Sequence, residues 1–212
     1  MKQKEMSSNT VFYENLKSLI RLANESLQFT QMQHNEFHEK LLNKNYKEYD
    51  IYESSHLQNA DWILLNSIFT SMFSHLEYKL YLFCKAIEKS NYFRIKIDNL
   101  NGSTLEKYFN YLNLVANIES ATRKQKNYQN LTLFQKVRNK IVHNGGMILT
   151  NKKENLEAHE LYKFLQDKKV VIAGRSGIIR IINIDFLEDF SLLCRQVCDE
   201  IGKEIDEKVL LT

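Results

Sequence analysis

Not one of the 212 residues is proline, and only six are glycine. An average chain of this length carries roughly ten prolines and about 15 glycines. Proline removes a backbone donor and clashes inside a helix, and glycine loosens one. A chain short of both can run long, uninterrupted helices. This argues against a collagen-like, proline-rich or Gly/Ser-linker protein, and against an all-β fold turned by many tight loops.

The apolar spacing agrees. From about Thr10 to Leu42, Phe12, Leu16, Leu19, Ala23 and Leu27 recur three and four apart, which predicts a first helix. Asn43 to Ser55 reads as a loop. The second helix, about Leu57 to Lys89, is the most apolar. Ile68, Phe69, Met72, Phe73, Leu76, Leu80, Phe83, Cys84 and Ile87 cover a wide face, which predicts a central element. Ser103 to Glu106 has capping-box spacing and should open a third helix reaching about Asn117. The polar stretch Glu119 to Gln129 reads as a loop. A fourth helix should run from about Leu131 to His143 with Leu133, Phe134, Val137 and Ile141 as its core stripe. Asn144-Gly145-Gly146 ends it.

Further on, Glu154 to Gln166 predicts a fifth helix. Lys169 to Ala173 and Ile178 to Asn183 are β-branched runs around Gly174-Arg-Ser-Gly177, which predicts a hairpin. A last helix, about Asp185 to Lys208, carries Phe186, Phe190, Leu193, Val197 and Ile201. The expected fold class is mainly α: an antiparallel four-helix bundle with additional helices and a small C-terminal β-hairpin. No repeat or linker is visible. A single domain over 1–212 is expected, with its core at about 57–146 and residues 147–212 packing on it.

Composition narrows the setting. Hydrophobic residues make up 43% and charged residues 26%, which fits a globular protein and not a disordered one. Three cysteines do not suggest a disulfide framework. Met1 to Thr10 has no apolar leader core. The apolar stretch from Trp62 to Ile87 is interrupted by Asn66, Ser71, His75, Glu77 and Lys79, which makes membrane insertion costly. A cytoplasmic protein with no membrane partner is the expectation.

Net charge is only +3, but it is unevenly spread. Arg123 to Arg180 holds 13 Lys/Arg against 4 Asp/Glu, a local +9. The remainder holds 16 against 22, a balance of −6. A basic segment on an acidic chain points to a polyanion-facing side. Lys136, Lys140, Arg123, Lys124 and Lys126 are its candidate RNA contacts. A solvated surface with local ion pairs is the other reading.

The fourth helix holds the residues most suited to chemistry: Val137-Arg138-Asn139-Lys140-Ile141-Val142-His143-Asn144-Gly145-Gly146. Five steps of about 100° put Arg138 and His143 roughly 140° apart, while Asn139 and His143 share a face. One helix can present all three around one edge, and a second copy would close a site. Cutting RNA uses its own 2′-OH as nucleophile. Histidine moves protons near neutral pH, and arginine offers a fixed, charged fork to a phosphate. A structural reading also exists, in which His143 complements the helix dipole and Arg138 sits in a surface ion pair.

This pattern, Arg-Asn-x-x-x-His followed by Asn-Gly-Gly after an aromatic-rich long helix, resembles the HEPN superfamily. The resemblance covers about Leu57 to Gly146. It implies an antiparallel bundle that dimerises into a composite site. It also implies a metal-independent RNA endonuclease acting as a toxin or in defence against phage, with no cofactor and with an antitoxin or defence protein as partner. In that picture His143 moves the proton, Arg138 binds the scissile phosphate, and Asn139 orients. The products are a 2′,3′-cyclic phosphate and a 5′-OH. Some toxin members carry a tyrosine two positions after the histidine. Gly145 stands there, which sets this chain apart from that subgroup and its AMP-transfer regulation. A non-catalytic interaction module, or an RNA-binding protein without chemistry, is the alternative.

Glu77 lies on the apolar stripe Phe69, Phe73, Leu80, Cys84. A carboxylate there needs a partner, and Arg138 is the expected one; in the other reading Glu77 sits at the edge of the stripe and reaches water. Other signals are weaker. His34 and His38 lack a third metal ligand, and Cys194 and Cys198 read as core. Gly174 to Gly177 lacks the ending of a phosphate loop. Tyr108, Tyr128 and Tyr162 are aromatics near the basic segment that could stack on bases.

Overall fold

The computed structural model describes residues 8–43, 48–90, 94–150 and 155–209. The protein is mainly α-helical with a small hairpin near its C-terminal end. The helices are α1 (Ser8–Leu42), α2 (Glu48–Ser90), α3 (Thr104–Asn110), α4 (Lys126–Asn144), α5 (Glu160–Asp167) and α6 (Asp185–Val209). Strands β1 (Val171–Ala173) and β2 (Ile178–Arg180) pair antiparallel, with Val171 opposite Arg180 and Ala173 opposite Ile178. The absence of proline shows most clearly in α1 and α2, which run for 35 and 43 residues.

Several boundaries differ from the sequence expectation. Helix α2 begins at Glu48, inside the stretch read as a loop, while residues 44–47 lie outside the described chain. Helix α4 begins at Lys126, within the expected loop. Lys126 and Gln129 at its start are exposed, and Tyr128 is buried with its ring 4.7 Å from that of Phe109. Composition suggested a loop, but tertiary burial of one face decides. Leu131, Phe134 and Val137 form the buried stripe of α4, and Leu133 and Ile141 are only half-buried.

Helix α3 is shorter than expected. Its chain widens into a π turn at Tyr111–Val115 and stops at Asn117, which has φ 54°. Asparagine tolerates this left-handed conformation better than most residues. The expected capping box does not form, because the Ser103 side chain makes no cap hydrogen bond. Glu106 instead accepts from Arg123 at 2.8 Å. Helix α5 begins later than expected, capped by His159, whose Nδ1 accepts the Leu161 amide at 3.2 Å. Glu154 lies outside the described residues.

The described residues form two compact units, one from 8–16, 72–136 and 189–209, the other from 17–71 and 137–188. In the first, the Phe190 ring stacks on Phe73 at 5.5 Å and tilts against Phe134 at 5.0 Å. These three are buried along with Leu76, Leu80, Leu193 and Val197. Cys194 and Cys198 are buried free thiols, as their spacing suggested. Burial pushes the Cys198 thiol up to about 12.

The first unit also fixes the chain ahead of α4. Glu204 accepts the amides of Glu119 and Ser120 at 2.7 and 2.9 Å and the Ser120 hydroxyl at 2.7 Å. One turn on, Lys208 donates to the carbonyl of Asn117 and pairs with Glu204. Desolvation pushes the Glu204 carboxyl up, but the amides, the hydroxyl and Lys208 outweigh it and hold it down to about 2.

In the second unit Phe69 lies edge-on to Phe186 at 5.1 Å. Asn66 is buried one turn earlier on α2. Its Nδ2 donates to the carbonyl of Ile179 at 3.0 Å, and its Oδ1 accepts the Ile181 amide at 3.2 Å. These two backbone groups lie on the edge of β2 away from β1. Asn66 therefore satisfies that edge as a neighbouring strand would. Just before it, the chain leaving α4 pairs with the same edge: the Ile179 amide donates to Gly146 and the Ile148 amide to Gly177.

Asn66→Ala leaves two buried strand groups unpaired at about 1–3 kcal/mol each. Denaturant unfolding should show a loss of about 2–6 kcal/mol, and an unchanged midpoint would count against this role. For Glu204, the folded carboxyl titrates below the unfolded one. Its stabilisation is complete above about pH 4.5 and is lost as pH falls toward 2. Glu204→Gln should flatten the acid side of the stability profile across that window.

Candidate functional site

The candidate residues fall in both units. Glu77, Arg123, Lys124, Lys126 and Lys136 belong to the first, and Arg138, Asn139, Lys140 and His143 to the second. The last two turns of α4 carry the second group. Arg138 is half-buried and its Nη1 donates to Asn139 Oδ1 at 3.0 Å. The guanidinium is thus held by the side chain of the next residue. His143 lies exposed in the last turn, one turn beyond Asn139.

The helix end has a definite architecture. Gly145 and Gly146 both adopt left-handed conformations, with φ 58° and 82°. A side chain would strain both positions. The turn is closed by the Gly146 amide on the Lys140 carbonyl at 2.9 Å and by the Met147 amide on Asn144 at 3.1 Å. Space beside Gly145 is open, since a Cβ there would meet nothing within 4 Å.

Lys140 serves this turn. Besides its carbonyl, its Nζ donates to the carbonyl of Ile148 at 2.6 Å. The ammonium expected to contact RNA is committed to the exit loop. Arg123 is similarly occupied, paired with Glu106 at 2.8 Å and lying 5.9 Å from the Tyr128 ring. Lys124, Lys126 and Lys136 are exposed.

Glu77 is half-buried. It is close enough to Tyr108 that, after burial, its charge is the next cause raising the Tyr108 hydroxyl. The Tyr108 ring also lies 6.1 Å from that of Tyr81. Tyr128 is core, and Tyr162 is half-buried on α5. The neighbouring Lys79 was unexpected. It is only 2% exposed, with Nζ 4.4 Å from the centre of the Phe83 ring, and burial lowers its pKa.

Two further residues of the second unit escaped the sequence reading. The Arg180 guanidinium lies 5.2 Å from the Trp62 ring, and Trp62 Nε1 donates to Asn59 at 3.0 Å. The signal was present in part: Arg180 is the one charged residue in the apolar run Ile178 to Ile184.

The arrangement offers a fixed cation, an exposed proton-transfer group and an open approach on one helix end. No helix among the described residues is long and apolar enough to cross a membrane. Comparison with known protein families, curated proteins and solved structures finds no match to this chain.

Lys140→Met removes the clasp on Ile148 while keeping the aliphatic stem. Charge-assisted hydrogen bonds contribute about 1.5–3 kcal/mol, so a loss of that order is expected. Faster amide exchange at Gly146 to Ile148 should accompany it. Unchanged exchange there would show the clasp to be idle.

Proposed function

We propose that this protein is a metal-independent RNA endonuclease of the HEPN type, working as a toxin or antiviral effector. The observation that carries the reading is the end of α4. Arg138 is oriented by Asn139, and the exposed His143 stands one turn further on, beside open space at Gly145.

The reaction follows from the groups. The 2′-OH attacks the adjacent phosphorus, the O2′–P bond forms and the P–O5′ bond breaks. The products are a 2′,3′-cyclic phosphate and a 5′-OH. His143 moves a proton between the reacting oxygens and solvent. Arg138 stabilises the charge gathering on the phosphoryl oxygens. Asn139 keeps the guanidinium in place. A second copy supplies an equivalent pair across a composite site. Of the basic candidates, the exposed Lys124, Lys126 and Lys136 attract the strand.

The test is cleavage of single-stranded RNA with excess EDTA present. Activity should persist, and the products should carry cyclic phosphate ends. His143→Ala should lower kcat by about 10²–10⁴-fold, and Arg138→Ala by about 10²–10³-fold, with helical circular dichroism unchanged. Full activity in His143→Ala would overturn the proposal.

A further inference from the structure

The small sheet has two unlike faces. Side chains alternate along a strand. Ile148, Ile179 and Ile181 are fully buried on the inner face. The other face bears Ile178, Arg180 and Ile182 along one line, with Val171 opposite Arg180 and Met147 opposite Ile178. Met147, Val171 and Ile182 are each 40–47% exposed. Arg180 stands among them with its guanidinium against the Trp62 indole, and its buried Nε has no hydrogen-bond partner.

Charge identifies what such a face would take. From residue 168 to 184 the chain has four basic residues, Lys168, Lys169, Arg175 and Arg180, and no acidic one. An apolar face built around a cation, on a stretch of chain without carboxylates, suits a partner that is both anionic and flat. A single RNA strand is such a partner: its phosphates answer the charge, and its bases can stack on a guanidinium plane. The surface also adjoins the proposed site along the chain. Met147 is four residues beyond His143, and Gly146 is hydrogen-bonded to Ile179.

We infer that the outward face of the hairpin is a docking surface for single-stranded RNA, on which a base stacks against Arg180 on the side away from Trp62. This rests on the RNA reading of the α4 site and adds a second contact for the strand, one that needs bases free to stack. Duplex RNA, with its bases buried, does not fit the surface.

Trp62 is the protein's single tryptophan, so its fluorescence reports on this surface directly. The full-length protein is titrated with a 2′-O-methyl oligoadenylate about 12 nucleotides long, which has no free nucleophile and stays uncut. Binding is followed in parallel by anisotropy of the labelled oligonucleotide. A saturable change in Trp62 emission is expected, absent with a duplex of equal length. Arg180→Ala should weaken binding about tenfold. Arg180→Lys should restore little of it, because the charge returns without the plane. Val171→Glu, at an exposed position, should weaken binding to a similar degree without disturbing the core.

If RNA is bound or cut while Trp62 emission and the Arg180→Ala affinity stay unchanged, the docking surface is overturned and the nuclease reading stands. If no RNA is bound or cut, both fall. If Trp62 emission instead follows protein concentration without RNA, the face joins two copies of the chain and the inference is overturned.

Discussion

The two hydrogen bonds of Asn66 hold together much of the second unit. A two-stranded hairpin is marginal by itself in water. Here one edge of β2 is covered by β1. The other edge is covered first by the chain leaving α4 and then by the Asn66 amide. A primary amide carries N–H donors and an acceptor oxygen side by side in one plane, so it can meet a strand carbonyl and a strand amide together. It can therefore replace a strand where a helix passes. An apolar side chain at that position would leave both strand groups buried and unpaired.

The same edge gives the end of α4 its shape. Gly146 is held to Ile179 and Lys140 is held to Ile148, so the chain after His143 takes a defined course. The glycine pair lets the helix stop within two residues by entering left-handed space. An exposed histidine and an oriented arginine thereby stand on a supported element. The first unit uses a related device, a carboxylate on α6 that gathers the amides of Glu119 and Ser120 and sets the approach to α4.

Much of the fold was readable from local pattern. The buried stripe of α2 and that of α6 match the spacing of their apolar residues, and the hairpin turns at Gly174 and Gly177. The misreadings share a cause. The stretch before Leu131 looked like a loop because it is polar, yet a helix buried on one face tolerates polar residues on the others. Ser103 and Glu106 had the right spacing for mutual capping, but Glu106 found Arg123 17 residues away. Lys79 looked like a break in an apolar run and is nearly fully buried.

By itself the sequence determined which stretches are helical, where the hairpin turns and where α4 stops. Those properties depend on residues within a few positions of one another. The tertiary structure decided which polar groups are free to act. Lys140 and Arg123 looked alike as surface cations until their partners appeared. Asn66 finds its partners 113 and 115 residues on, and Arg180 meets Trp62 across a similar span. A hydrogen bond or ring contact depends on distance in space, and spacing along the chain holds no record of it.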